Sequence, residues 1–163
     1  MILNNFKNWW YGTVNSYDYS ERGAISYNNI DGTIVNLSRN NNNTFLNVQY
    51  GSLSQLDNNG RYCLVLGSNN TPVTIDDCEW KNDITDLSTV SLSFSMATVN
   101  GNRVLRITRS VVNNTENDIT VSEVGLVVME YSRQKILIAR EVLDTPITVK
   151  ANGGAQIFGI DIG

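Results

Sequence analysis

Histidine is absent from all 163 residues of this chain. That absence removes the Ser-His-Asp and Cys-His catalytic constellations and the usual zinc sites. Charge is scarce as well. Asp, Glu, Lys and Arg make up 17% of the sequence, where a soluble domain usually carries about 25%. The balance is acidic, with a net charge of −4 and a pI near 4.7, whereas a nucleic-acid footprint requires a basic face. No apolar run approaches the ~20 residues that cross a bilayer as a helix. The first residues, Met1-Ile2-Leu3-Asn4-Asn5, have neither the basic n-region nor the apolar stretch of a signal peptide, so folding in a cytoplasm is expected. Cys63 and Cys78 are the two cysteines, and in a reducing compartment they are expected as free thiols rather than a disulfide. No cofactor and no metal is implied.

What is present points to strands. Hydrophobic residues reach 41%, enough for one continuous core, and the length suits one domain with a small appendage. Asn is over-used, and the run Asn40-Asn41-Asn42-Asn43 is its extreme. Asn tolerates left-handed backbone and bonds its own turn, so it favours loops over helix interiors. Residues 1–50 are expected as an N-terminal arm with peripheral strands, the interaction segment that makes most inter-subunit contacts, and residues 51–163 as the β-sandwich domain.

Within the arm, Leu3, Phe6, Trp9 and Trp10 fall near helical spacing and Gly12 follows as a stop, which predicts a short helix. Two roles are open for Leu3, Phe6, Trp9, Trp10 and Tyr11: a plug for one end of the chain's own core, or an interface that anchors on a neighbouring subunit. Under the second role, deleting residues 1–12 leaves a folded domain. Short β-type stretches follow at Ala24 to Tyr27, Thr33 to Leu37 and Phe45 to Tyr50, with Asp31-Gly32 as a hairpin turn. Tyr62 to Leu66 reads as a buried strand ending at Gly67.

The second half is clearer. Val90, Leu92, Phe94 and Met96 alternate with Ser91, Ser93, Ser95 and Ala97, which predicts a strand with one buried and one wet face. Asn100-Gly101 turns the chain, and Val104 to Val112 returns with Leu105, Ile107 and Val111 on one face. Ile119 to Met129 is a long Val-rich run interrupted by Gly125, a signal for a bulge or a close contact with another backbone. Ile136 to Ala139, Ile147 to Val149 and Gln156 to Ile162 complete the series. Strands at roughly ten-residue spacing without helices between them predict an all-β antiparallel sandwich, jelly-roll or immunoglobulin-like.

Few residues are candidates for chemistry. Asp76, Asp77 and Glu79, with Asp83 and Asp86 nearby, offer hard oxygen ligands for Ca²⁺, but EF-hand spacing is missing, and a helical turn capped by Asp76 with a solvated turn is the preferred account. Glu123 lies amid apolar residues and is costly to bury alone. It is expected to meet a basic residue across the sheet, with Arg140, Arg106 and Arg109 as candidates and Glu123–Arg140 preferred as a structural ion pair. A two-carboxylate glycosidase site of Glu123 and Glu141 is the catalytic alternative. Tyr11, Tyr17, Tyr19, Tyr27 and Trp80 suit a sandwich core or subunit interface, or else the binding face of a carbohydrate-binding or receptor-binding fibre module. The Asn-x-Ser/Thr triplets at Asn36, Asn42, Asn69 and Asn113 are expected by chance in an Asn-rich cytoplasmic product.

Two segments carry a resemblance. Gly67-Ser68-Asn69-Asn70-Thr71-Pro72-Val73-Thr74-Ile75-Asp76-Asp77 resembles the G-x-G-x-T-P-x-T-x-D-D segment of small virion proteins of tailed bacteriophages. Asn113-Asn114-Thr115, then Ile119-Thr120-Val121-Ser122-Glu123-Val124-Gly125-Leu126, then Leu137 to Val149 with Ala139-Arg140-Glu141-Val142-Leu143-Asp144, resembles the C-terminal half of the same family. The likeness spans roughly residues 61–163. It departs at Cys78, where the family often has an aromatic, and at Ala151-Asn152-Gly153-Gly154, where the family has Pro-Gly. The resemblance implies a non-enzymatic β-sandwich subunit of the head, neck or tail. Its partners are then copies of itself and other virion proteins (capsid, portal or tail subunits), with neither nucleic acid nor membrane.

Overall fold

The computed structural model describes residues 2–4, 26–36, 62–129 and 135–163. Its strands are β1 (Ser26–Asn28), β2 (Ile34–Asn36), β3 (Tyr62–Gly67), β4 (Ser88–Val99), β5 (Asn102–Asn113), β6 (Ile119–Met129), β7 (Lys135–Val149) and β8 (Gly154–Ile162). They form two antiparallel three-stranded sheets, β3-β6-β7 and β4-β5-β8, and a small β1-β2 hairpin. Leu64, Leu66, Val121, Val124, Leu126, Ile136 and Ile138 of the first sheet share one apolar core with Ile107, Val111, Phe158 and Ile160 of the second. The fold is therefore an all-β sandwich.

Turn chemistry sets the pairing. Asn100 and Gly101 both take positive φ, 49° and 81°, as the two-residue hairpin turn that matches strand twist requires. Asn152 and Gly153 also take positive φ, 58° and 98°, in the connection by which the chain crosses from β7 in one sheet to β8 in the other. Three other turns share one device. Asp31, Asn69 and Asn113 each accept, through Oδ1, the backbone N–H and the hydroxyl of the Thr two residues on, closing the turn by local side-chain bonds. This gives the Asn-x-Thr triplets at Asn69 and Asn113 a structural reason. Asn113 is fully buried and also donates to the carbonyls of Asn117 and Val149.

The two sheets are not equivalent. Sheet β3-β6-β7 is covered on both faces. Its inner face meets the other sheet, and on its outer face Val65, Val127 and Leu137 form a second cluster with Leu3, packed against Ile30, Val73 and Trp80. This is why β6 is a nearly unbroken apolar run rather than an alternating one. Arg109 ties the sheets together from the core side. Its guanidinium donates to Leu64 O at 2.9 Å, to Leu87 O at 3.5 Å and to Thr89 Oγ1 at 2.9 Å.

Several expectations change. Val90, Phe94 and Met96 are not a buried face of β4: they are 67%, 40% and 58% exposed, and of that set Leu92 packs on the core. The second half of the β4-β5 hairpin reaches past the first sheet, so the pattern has the predicted period without a cover. Asp76 to Trp80 does not begin a helix; Thr74 and Asp77 bond one another in a single turn, after which the chain extends. Leu3 belongs to an extended start. Its N–H donates to Ile138 O at 3.0 Å, Ile2 bridges Ala139, and the Leu3 side chain is wholly buried. Leu3 thus takes the inward role, while Phe6, Trp9, Trp10 and Tyr11 lie outside the described residues, as does the Phe45 to Tyr50 stretch. A truncation of residues 1–12 removes the buried Leu3 side chain and is therefore expected to weaken the fold. Leu3→Ala is expected to cost about 2–5 kcal/mol, as for other buried Leu truncations; a urea melt with an unmoved midpoint would contradict this placement.

Candidate functional site

The outer face of sheet β3-β6-β7 holds two of the buried charged side chains among the described residues, Glu123 and Arg140. Glu123 on β6 and Arg140 on β7 stand on neighbouring strands, and both point away from the inter-sheet core. Arg140 Nε donates to Glu123 Oε2 at 2.7 Å, and the two side chains are 5% and 1% exposed. Nη1 of the same guanidinium donates to Asp77 Oδ2 at 2.6 Å, and Nη2 to the Thr71 carbonyl at 3.0 Å. Asp77 is fixed in turn by the Thr74 N–H and hydroxyl. Of the candidate partners for Glu123, the structure brings together Arg140 alone. Arg106 forms an exposed pair with Asp161 at 2.7 Å, and Arg109 lies on the core side.

Trp80 closes this site. Its indole lies over Gly67 and Gly125, so close that a Cβ on Gly125 would stand 2.5 Å from Trp80 Cζ3 and one on Gly67 2.9 Å from Cζ2. Gly125 therefore does mark a close approach, but by an indole rather than by backbone; the β6-β7 irregularities lie at Val121/Glu123 and Leu126/Val127. Trp80 Nε1 donates to Asp83 Oδ1 at 3.2 Å, and its N–H donates to Ile30 O at 3.1 Å, which seats the β1-β2 turn on the same face. Trp80 is half-buried and engaged inside the chain. Of the tyrosines grouped with it, the side chains lie outside the described residues.

The electrostatics are mixed. Burial pushes the Glu123 carboxyl above its usual range, against the pull of Arg140, and the Asp77 charge adds to the rise. Its Oε1 is buried without a hydrogen bond of good geometry. Burial would also raise Asp77, but the Thr74 bonds and the Arg140 guanidinium outweigh it and hold that carboxyl below its usual value. The pair is therefore less a source of net stability than an arrangement in which neither member can be removed alone.

Beside the network opens a cleft of about 310 Å³, lined by Asn69, Thr71, Asp76, Asp77, Cys78, Glu79, Lys81 and Arg140. The acidic side chains around it are engaged. Asp76 accepts from Asn4 Nδ2 at 2.9 Å, Asp77 from Arg140, and Glu79 pairs with Lys81 at 2.9 Å. Among the described residues no group of His, Cys, Asp and Glu is arranged to hold a metal ion, so the Ca²⁺ reading gains nothing. Cys78 is a free thiol; the Cys63 side chain is outside the described residues. Glu141 does not join Glu123. Glu123 stands opposite Val142 and Glu141 opposite Val124, so the two carboxylates project from opposite faces of the sheet. The glycosidase alternative needs both on one side of a sugar-sized gap, and the structure does not supply it.

The chain matches no family model, no curated protein and no solved structure. None of these comparisons supports the resemblance to phage virion proteins expected from the sequence. The residues of the two segments do meet in space: Thr71 and Asp77 of the first bond Arg140 on β7, which also bonds Glu123 on β6, while Trp80, just beyond the first segment, covers Gly125.

Two outcomes are expected. Glu123→Ala leaves the buried guanidinium short of a partner and should cost about 3–5 kcal/mol; an unchanged thermal melt would contradict the role assigned to the pair. The pH dependence follows from the signs. Asp77 titrates lower in the folded chain than its ordinary 3.8, so its contribution is complete above that value and fades as pH falls through the folded value. Glu123 titrates higher than its ordinary 4.5, so its contribution is complete below that value and declines as pH rises through the folded one. Asp77→Asn should therefore lower the melting temperature more at pH 7 than at a pH below the ordinary 3.8. An equal deficit at both would show that Asp77 stabilises by something other than its charge.

Proposed function

We propose that this chain is a non-catalytic structural subunit of a tailed-phage particle, present in repeated copies and working through protein contacts. The observation that carries the reading is the fate of the motif residues. Thr71, Asp77, Glu123, Gly125 and Arg140, which bear the resemblance to virion proteins, are spent on holding a loop and an indole against a sheet. A signature devoted to internal fastening suits a protein whose product is a shape. The lack of histidine and the opposed directions of Glu123 and Glu141 fit the same reading. Copies of the chain and other virion proteins are its partners, and the virion is its destination. Gradient-purified particles from lysing cells that make the chain should contain it at several copies each, by quantitative mass spectrometry and by antibody labelling in the electron microscope. Recovery only from the soluble fraction would overturn the proposal.

A further inference from the structure

Each sheet of a sandwich ends in strands with one unpaired backbone side, and an unpaired side templates strand addition unless something protects it. The free sides in this fold are treated differently. That of β3 is covered by its own chain: Ser68 N–H donates to Asn82 O, Ile84 N–H donates to Leu66 O, and Gly67 bridges Asp83. Along β7, Leu3 N–H donates to Ile138 O and Ile30 N–H to Lys135 O, and the strand carries Lys135, Arg140, Glu141, Asp144 and Pro146. Strand β8 is interrupted by Gly159 and carries Asp161. Strand β4 has no such protection. Its 12 residues, Ser88–Val99, include no charged residue, proline or glycine, and among the described residues its only partner is β5. Its one irregularity, between Thr89 and Ser91, lies at its start; from Ser91 to Val99 the register with β5 is unbroken.

The same strand presents apolar side chains. Phe94 stands opposite the core residue Ile107, and Met96 opposite Leu105, which stands opposite Ile162. Residues opposite one another share a face, so this row continues the inner face of the sandwich beyond the first sheet. Phe94 is 40% exposed, Met96 58% and Leu105 37%.

We propose that β4 is where a second copy of this chain docks, by antiparallel β4–β4 pairing about a twofold axis near Ser95. The inference deepens the assembly reading and rests on it for its biological setting. Charge selects the occupant. A twofold axis brings equivalent segments of both copies together, so charges along the strand would meet others of their own sign, and β4 carries none. An axis at Ser95 sets Phe94 against the partner subunit's Met96, and the reverse, which joins the two most exposed side chains of the row. Ser93 and Ser95 stay on the outer, wet face, and the sheets merge into one running β8-β5-β4-β4-β5-β8. Backbone bonding along a free edge then supplies attachment, and the apolar row supplies its register.

The test uses the full chain. In sedimentation velocity the wild type should run as a dimer, and Met96→Lys, which places a like charge on each side of the axis, should run as a monomer with an unchanged far-ultraviolet circular-dichroism spectrum and melt. Ser95→Cys should form a covalent dimer under mild oxidation, whereas Thr98→Cys and the wild type should not. A wild type that remains monomeric up to its solubility limit would overturn the proposal. So would a dimer that survives Met96→Lys, or a Ser95→Cys protein that does not cross-link. Particle labelling reads the virion role and solution mass reads the strand pairing, so either can fail while the other stands.

Discussion

Everything on the outer face of sheet β3-β6-β7 depends on the burial of Arg140. A guanidinium at 5% exposure must have its donors satisfied and its charge met, or the sheet cannot be covered there. The chain meets this with a carboxylate on the neighbouring strand, a second carboxylate from the loop after β3, and a carbonyl from the same loop. The loop is thereby pinned at Thr71 and Asp77, which delivers Trp80 a few residues later to the one strip of sheet that lacks side chains, Gly67 and Gly125. With Trp80 down, the β1-β2 turn gains a hydrogen-bonded seat at Ile30, and Leu3 and Val73 complete the cluster. A loop and both described pieces of the N-terminal third are thus organised around one side chain. The raised Glu123 carboxyl indicates that burial outweighs attraction at that member of the pair, so the network is better explained by the specificity of its arrangement than by net stabilisation.

Arg109 provides the contrast. It is also a buried arginine, but it faces the inter-sheet core and donates to the carbonyls of Leu64 and Leu87 and to the Thr89 hydroxyl. One arginine fastens a loop to the outside of a sheet, and the other fastens the two sheets to each other. Both solutions use the fork geometry that Lys lacks, and both place a cation where a purely hydrophobic pattern would expect an aliphatic side chain.

The sandwich was legible because its signals are local. Asn100-Gly101 dictates a hairpin, the β4 and β5 alternation has period two, and Glu123 inside a Val-rich run demands a basic partner on an adjacent strand. What was not legible depends on distance through space. No spacing rule shows that the Asp77 carboxylate reaches the guanidinium of Arg140, 63 positions away. The period of β4 announces two faces but not whether a second sheet reaches far enough to cover one, and here it stops short of Phe94 and Met96. Leu3 precedes the Asn4-Asn5 cap expected for the short helix, and the free edge of β7 takes it as an extended segment; the residues at helical spacing that follow it, Phe6, Trp9 and Trp10, lie outside the described residues. The Asn-x-Thr triplets carried a usable signal that glycosylation logic obscured, since a Thr two residues after Asn or Asp closes a turn without any glycan.

The asymmetry between the sheets bears on what the fold is for. One sheet is covered on both faces, and its edges are partly bonded by the chain's own segments and partly guarded by charge and proline, at the cost of burying charge. The other leaves a serine- and threonine-rich face wet, its β4 edge unprotected and an apolar row open at the far end of the hairpin. A chain that answers solely to its own solubility has no reason to guard β7 with proline and charge while leaving β4 bare, because an unguarded edge is a hazard at any concentration where copies meet. The difference is coherent if the bare edge is filled in the assembled state. The covered sheet then serves as the rigid body, and the open sheet as the surface through which that body is joined to others.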